Sequence, residues 1–269
     1  MKYNYLIDTH NHTSDSMDAD FSAAEMCEGA VKNGLDIIAL TDHVEIDVFK
    51  RDGFDLDAEA SYRHINEVKE KFADRIKILT GVELGEASFA PEDADRLLSE
   101  KDYDFVLGSI HNLRNREDFY FIDYSKVSTE AIILEYYNEI KNLIQWGGFD
   151  SLAHLTYPLR YIVGEHGFYV DESKFKGQVD EILTLLAEKD KALEINTSGL
   201  RQKLGRTMPD EDVIRRFREL GGSLVTVGSD AHRPGDIGAG IIQSYEIAKR
   251  CGFGSIVYFE NRKPVEIGI

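Results

Sequence analysis

Seven short apolar stretches of the chain each run, at their C-terminal ends, into side chains able to bind a metal ion. LIDTHNH ends in His10 and His12, IIALTDH in Asp42 and His43, and IKILTGVE in Glu83. FVLGSIH ends in His111, DSLAH in His154, ALEIN reaches Glu194, and LVTVGSDAH closes on Asp230 and His232. Runs this short and this apolar, bounded by turn residues, read as buried strands. Parallel strands of a barrel open their C-terminal ends onto one face, so these distant residues would converge there. Such convergence describes a metal-dependent hydrolase.

Helical periodicity fills the intervals, over 22–33, 57–74, 90–100, 128–146, 173–189, 209–220 and 241–251. Capping chemistry opens several of these segments, as in Pro91-Glu92-Asp93 and Ser128-Thr129-Glu130. Glycine closes others, as in Asn33-Gly34, Gly147-Gly148 and Gly221-Gly222. Alternation repeated this often implies an α/β protein, a parallel sheet with crossover helices, and the 269 residues suit one barrel domain. Two loops, 112–127 after His111 and 155–172 after His154, are longer than such a barrel needs and are where substrate selection is expected. Gly235, Gly238 and Gly240 echo a phosphate loop but lack its strand-to-helix setting.

The chain carries 49 acidic against 31 basic residues, a formal charge of -18. That excess disfavours nucleic acid and anionic membranes as partners, because phosphate contacts need Lys and Arg. Cys27 and Cys251 lie in helical stretches and read as buried thiols of a reducing compartment. With no signal peptide and no apolar run of transmembrane length, a cytoplasmic protein is expected.

Of the eight histidines, His10, His12, His43, His111 and His154 stand at strand ends, and His232 follows just beyond the last strand. His10 and His12, two apart, put both imidazoles on one side of the strand. His64, in a helical stretch, reads as a solvated or packing residue, and His166 lies in a loop. Asp42 stands where a carboxylate orients a ligand histidine.

His10-Asn11-His12-Thr13 with Ser16 and Asp18, Thr41-Asp42-His43, Gly81-Val82-Glu83, Gly108-Ser109-Ile110-His111, Ala153-His154 and Gly228-Ser229-Asp230-Ala231-His232 resemble, in order, the motifs of the polymerase-and-histidinol-phosphatase (PHP) superfamily. Arg160, Asn196 and Arg201 make the chain most similar to its monofunctional histidinol-phosphate phosphatases. The resemblance implies a distorted TIM-like (β/α)7 barrel with a trinuclear centre of three divalent ions (zinc, manganese or iron) at the C-terminal ends of the strands. Carried over, His10, His12, Glu83 and Asp230 would hold the first ion. Glu83, bridging, with His111 and His154 would hold the second, and Asp18, His43 and His232 the third. Many relatives have histidine where this chain has Asp18, and Asp15 is the alternative ligand. Glu194 would serve as a metal ligand, as a ligand's support or toward the substrate.

The activity so implied is hydrolysis of the phosphomonoester L-histidinol phosphate, in histidine biosynthesis, by a metal-bridging hydroxide attacking phosphorus. Three divalent ions against Asp18, Glu83, Asp230 and a hydroxide leave roughly +2, so an acidic protein can still attract phosphate locally. Arg160 and Arg201 would fork onto phosphate, with Asn196 beside them, and Asp230 and His232 are the candidates for proton transfer. Glu45, Glu86 and Glu165 are candidates for the positive end of the substrate; Phe119, Tyr120, Tyr157, Tyr161 and Phe168 are candidate covers for its ring. The rival readings are a PHP phosphoesterase acting on a mononucleotide, an amidohydrolase-type barrel, and a degenerate barrel serving as an interaction module. No lysine stands at a ligand-bearing strand end to serve the second, and loss of ligands would mark the third.

Overall fold

The computed structural model describes residues 3–48 and 51–269. Its barrel is built from β1 (Ile7–Asp8), β2 (Ile37–Leu40), β3 (His43–Glu45), β4 (Lys77–Gly85), β5 (Phe105–Ser109), β6 (Ser151–Leu152), β7 (Ala192–Asn196) and β8 (Val225–Gly228). All of them pair in parallel, in the order β1-β2-β4-β5-β6-β7-β8. β3 is no extra stave. It continues the line of β2 along β4, with Ile37–Leu40 opposite Lys77–Thr80 and His43–Glu45 opposite Glu83–Gly85. Seven staves therefore form the wall, as the strand count in the sequence implies.

Closure comes from β1 meeting β8. The Thr9 N–H donates to the Val227 carbonyl at 2.9 Å, and the His12 N–H to the Ala231 carbonyl at 2.9 Å. Apart from Lys77, the barrel strands are buried along almost their whole length, as parallel strands covered on both faces must be.

The cover is α1 (Ala23–Lys32), α2 (Phe54–Lys71), α3 (Pro91–Glu100), α4 (Thr129–Trp146), α5 (Tyr157–Leu159), α6 (Lys176–Glu188), α7 (Ser198–Arg201), α8 (Glu211–Glu219) and α9 (Ile241–Arg250). Ser22 and Glu25 form a reciprocal capping box on α1, Ser128 caps α4 and Asp210 caps α8, which satisfies N–H groups left free at those ends. None of the helices among the described residues is long and apolar enough to cross a membrane.

Three features lie outside the sequence expectation. Segment 173–189 begins as a short 3-10 turn and becomes helical only at Lys176, and the loop after His154 is folded into α5 followed by a turn of π-helix, Arg160–Glu165. The chain ends in an antiparallel hairpin of β9 (Ser255–Glu260) and β10 (Lys263–Gly268). That hairpin seals the N-terminal mouth of the barrel. Phe259 stacks on Phe105, and Arg262 binds Asp150 and the Gly148 carbonyl at the foot of β6. With that end sealed, the opposite rim is left for chemistry.

Candidate metal centre

β4 carries Glu83 to the barrel axis, where its carboxylate is buried. One oxygen lies 2.8 Å from His154 Nε2 and 3.2 Å from His111 Nε2. The other lies 3.1 Å from His10 Nε2, 3.2 Å from His43 Nδ1 and 3.5 Å from His12 Nε2. Asp230 closes the far side, 3.4 Å from His12 Nε2 and 3.8 Å from His10 Nε2. At the edge, Asp18 stands 2.9 Å from His232 Nε2 and 3.8 Å from His43 Nε2. All nine side chains expected as ligands are thus in one constellation. Asp15 is turned away from it, accepting from His64 Nδ1 at 2.8 Å, so His64 partners an acid rather than only solvent.

The hydrogen bonds behind the histidines fix which ring nitrogen faces inward. His10 Nδ1 donates to Glu194 at 2.7 Å, and His111 Nδ1 to Glu45 at 3.0 Å. Ser16 gives its single hydroxyl proton to Asp42 at 3.0 Å, so it accepts from His12 Nδ1 at 3.1 Å and from the His43 N–H at 3.0 Å. The inward Nε2 atoms of His10, His12 and His111 then carry lone pairs directed at carboxylate oxygens. Acceptor faces acceptor in a buried site, which is tenable only with positive charge between them.

Protonation alone supplies that charge incompletely. Burial opposes charge on His10, yet Glu194, Glu83 and Asp230 hold its pKa well above the usual value; Glu45 and Glu83 do the same for His111. His12 goes the other way, held down to about 3 by burial and by His232 and His43. Its Nε2 is buried with no hydrogen-bond partner among the described residues. The imidazole and carboxylate donors therefore fit divalent metal ions, and suit zinc, manganese or iron.

The backbone is bent to deliver these groups. His154 and Asp230 adopt positive φ, 21° and 54°. Arg201 Nη2 donates to the Ser229 carbonyl at 2.9 Å and the Asp230 carbonyl at 3.4 Å, holding the strained turn. Asp8 accepts the Ser229 and Gly238 N–H groups, each at 2.8 Å, from below. Gly228 is required because a Cβ there would meet His10 Cβ at 2.4 Å and Glu194 Oε1 at 2.3 Å. Asp8 and Ser16 went unassigned in the sequence, although Ser16 lies within the first motif; strand-end spacing carries no signal for groups that act one bond behind a ligand.

Five expected substrate contacts are placed differently. Asn196 donates to Glu194 at 3.2 Å and Asp230 at 3.4 Å and accepts from Ser198, so its amide holds two carboxylates and is not free for substrate. Arg201 is spent largely on the backbone carbonyls just described. Glu45 sits behind His111 and His43 and beside Glu86, which burial and Glu45 push well above the usual carboxylate range. Glu86 also accepts the N–H groups of His111 and Asn112. Glu165 pairs with Lys203 on the surface at 2.7 Å.

Glu194 supports His10 and takes the His154 N–H at 2.8 Å, and Asp42 acts on His12 through Ser16. Arg160 lies over the rings of Tyr157 and Tyr161 at 5.8 and 5.3 Å. Among the aromatics of the long loops, Phe119 is core, Tyr120 and Phe168 are exposed, and Tyr157 packs its ring 4.8 Å from that of His154 and 5.2 Å from that of His111.

A cavity of about 1120 Å³ opens beside His43 and His111, with Asp47, Asp118, Phe121 and Tyr157 in its wall. It reaches the rim where the loop after His111 folds over.

A family model described as PHP domain matches residues 8–198. A probable histidinol-phosphatase of Clostridium acetobutylicum is 30% identical over 262 residues, covering 96% of this chain and 98% of that protein. A histidinol-phosphatase of Lactococcus lactis subsp. lactis is 28% identical over 266 residues, covering 96% and 95%. Among solved structures, a histidinol phosphate phosphatase from Lactococcus lactis subsp. lactis, complexed with zinc, L-histidinol and phosphate, matches with a TM-score of 0.81 at 25% identity, covering 97% of this chain and 99% of that one.

Proposed function

The chain belongs to the PHP domain family, and from that premise we propose that it is a metal-dependent phosphomonoester hydrolase converting L-histidinol phosphate to L-histidinol and phosphate. The observation that carries this reading is the set of oriented imidazole lone pairs facing the buried carboxylates of Glu83 and Asp230.

Three divalent ions would be held as the family resemblance implies: by His10, His12, Glu83 and Asp230; by Glu83, His111 and His154; and by Asp18, His43 and His232. Glu83 suits a bridge because its two oxygens already face different histidines. Bound there, such ions acidify water and act as Lewis acids toward phosphoryl oxygens.

The chain's own groups supply the rest. Arg160, half-buried and making no hydrogen bond or ion pair among the described residues, is the cation free to fork onto phosphate. Asp230 stays ionised, since His10 and His12 overcome its burial, and so serves as a ligand rather than an acid. Asp18 and His232 form the more exposed side, where a proton for the departing alkoxide can be exchanged with water. Asn196 and Arg201 position Asp230, and Glu45 positions His111.

The test is phosphate release from L-histidinol phosphate beside a mononucleotide, an aryl phosphate and a panel of amides and lactones. Preferred turnover of L-histidinol phosphate is the expected result. Preference for the mononucleotide would move the substrate, and turnover confined to amides or lactones would overturn the reaction class.

A further inference from the structure

The cavity beside the metal centre contains three arginines, and each is already engaged. Arg51 pairs with Asp52 at 2.7 Å, Arg116 with Glu135 at 3.1 Å, and Arg114 stacks on Phe89 at 4.2 Å while donating to backbone carbonyls. Asp52, Asp18 and Glu45 in the same wall have Arg or His partners, but not every acid there is matched. One oxygen of Asp118 accepts the Tyr120 N–H at 2.6 Å, and among the described residues Asp118 makes no ion pair and its other oxygen no hydrogen bond. It is held in place because residue 118 bridges Asn112, directly after His111. Asp47 lies on the other side of Asn112, accepting from its amide at 3.2 Å. Phe121 and Tyr157 give the same wall aromatic faces.

A part-buried carboxylate that makes no ion pair among the described residues, in a wall with aromatic rings and close to a metal-site histidine, suits an organic cation. We propose that Asp118 is the specificity-determining residue of this active site, binding the ammonium or imidazolium end of a cationic phosphomonoester whose phosphate lies on the metal centre. The inference rests on the phosphomonoesterase reading above and deepens it. It also replaces Glu45, Glu86 and Glu165 in that role, since those carboxylates are committed elsewhere.

Asp118→Asn keeps the oxygen that accepts the Tyr120 N–H and removes the charge. The quantity to read is the ratio of kcat/KM for L-histidinol phosphate to kcat/KM for 4-nitrophenyl phosphate, which carries no cation. That ratio should fall about 10- to 100-fold, mainly through KM, because a charge-assisted hydrogen bond is lost. Inhibition by L-histidinol should weaken by a similar factor, and Asp118→Glu should recover part of the ratio. An unchanged ratio, or equal losses on both esters, would overturn the assignment while leaving the phosphatase reading intact. Absence of phosphate release from either ester by the unaltered protein would remove both.

Discussion

Replacing Glu194 by Gln perturbs the metal centre without touching a ligand. The Glu194 carboxylate accepts three hydrogen bonds: from His10 Nδ1 at 2.7 Å, the His154 N–H at 2.8 Å and the Asn196 amide at 3.2 Å. Glutamine has the same shape but only one acceptor oxygen. If the new NH2 faces His10, Nδ1 must accept, the ring proton moves to Nε2, and the lone pair directed at Glu83 is lost. If the amide is turned round, the NH2 opposes the two N–H donors of His154 and Asn196. Either mismatch costs about 1–3 kcal/mol in a buried site. Supporting groups of this kind are worth about 10- to 100-fold in metal affinity. Zinc affinity of the metal-stripped protein, measured by competition with a fluorescent chelator, should therefore drop by that factor. Thermal unfolding of the stripped variant serves as the check on its fold. Wild-type zinc affinity in a folded Glu194→Gln protein would refute the reasoning.

Glu83→Ala should abolish phosphate release and lower bound metal together, by assay and elemental analysis; full activity in that variant would contradict its place between five histidines. Ser16→Ala removes the acceptor that orients His12 and should weaken zinc binding about 10-fold in the same competition assay, with little loss of fold. The metal-free protein should lose thermal stability as pH rises from about 6.5 toward 9. Burial opposes charge on His43, but Glu83, Glu45 and Asp18 push it up to about 9; His10, His111 and His232 are raised as well. Folded values above an unfolded value of about 6.5 mean that this stability is complete below that figure and is lost as pH rises through each folded value, about 9 for His43. His12, held down to about 3, works oppositely only below about 6.5. Unfolding scans across that window check the sign, and a transition temperature that rises toward pH 9 would contradict it.

The barrel and the cluster of histidines and carboxylates at its rim were legible because both rest on local pattern. A buried parallel strand is an apolar run, and His10, His12, Glu83, His111 and His154 each end one. Ser22, Ser128 and Asp210 mark helix starts by chemistry that operates within four residues. The hairpin of β9 and β10 was not seen, since its function is to meet Phe105 and Asp150, more than a hundred residues away. The same distance hid the true tasks of Glu45 and Asn196. Both stand at strand ends like ligands, but which way such a side chain turns depends on neighbours from other staves. Asp118 reads in sequence as one loop acid among many; only the engagement of the three arginines in the cavity wall sets it apart.

The most direct measurement is a metal titration of chelator-stripped protein, following phosphate release from L-histidinol phosphate as zinc or manganese is added. Release should be absent at the start and should rise to a plateau as the His and carboxylate sites around Glu83 fill. Full turnover by the stripped protein, or none after loading with zinc, manganese and iron in turn, would contradict a metal-dependent phosphatase built on those side chains.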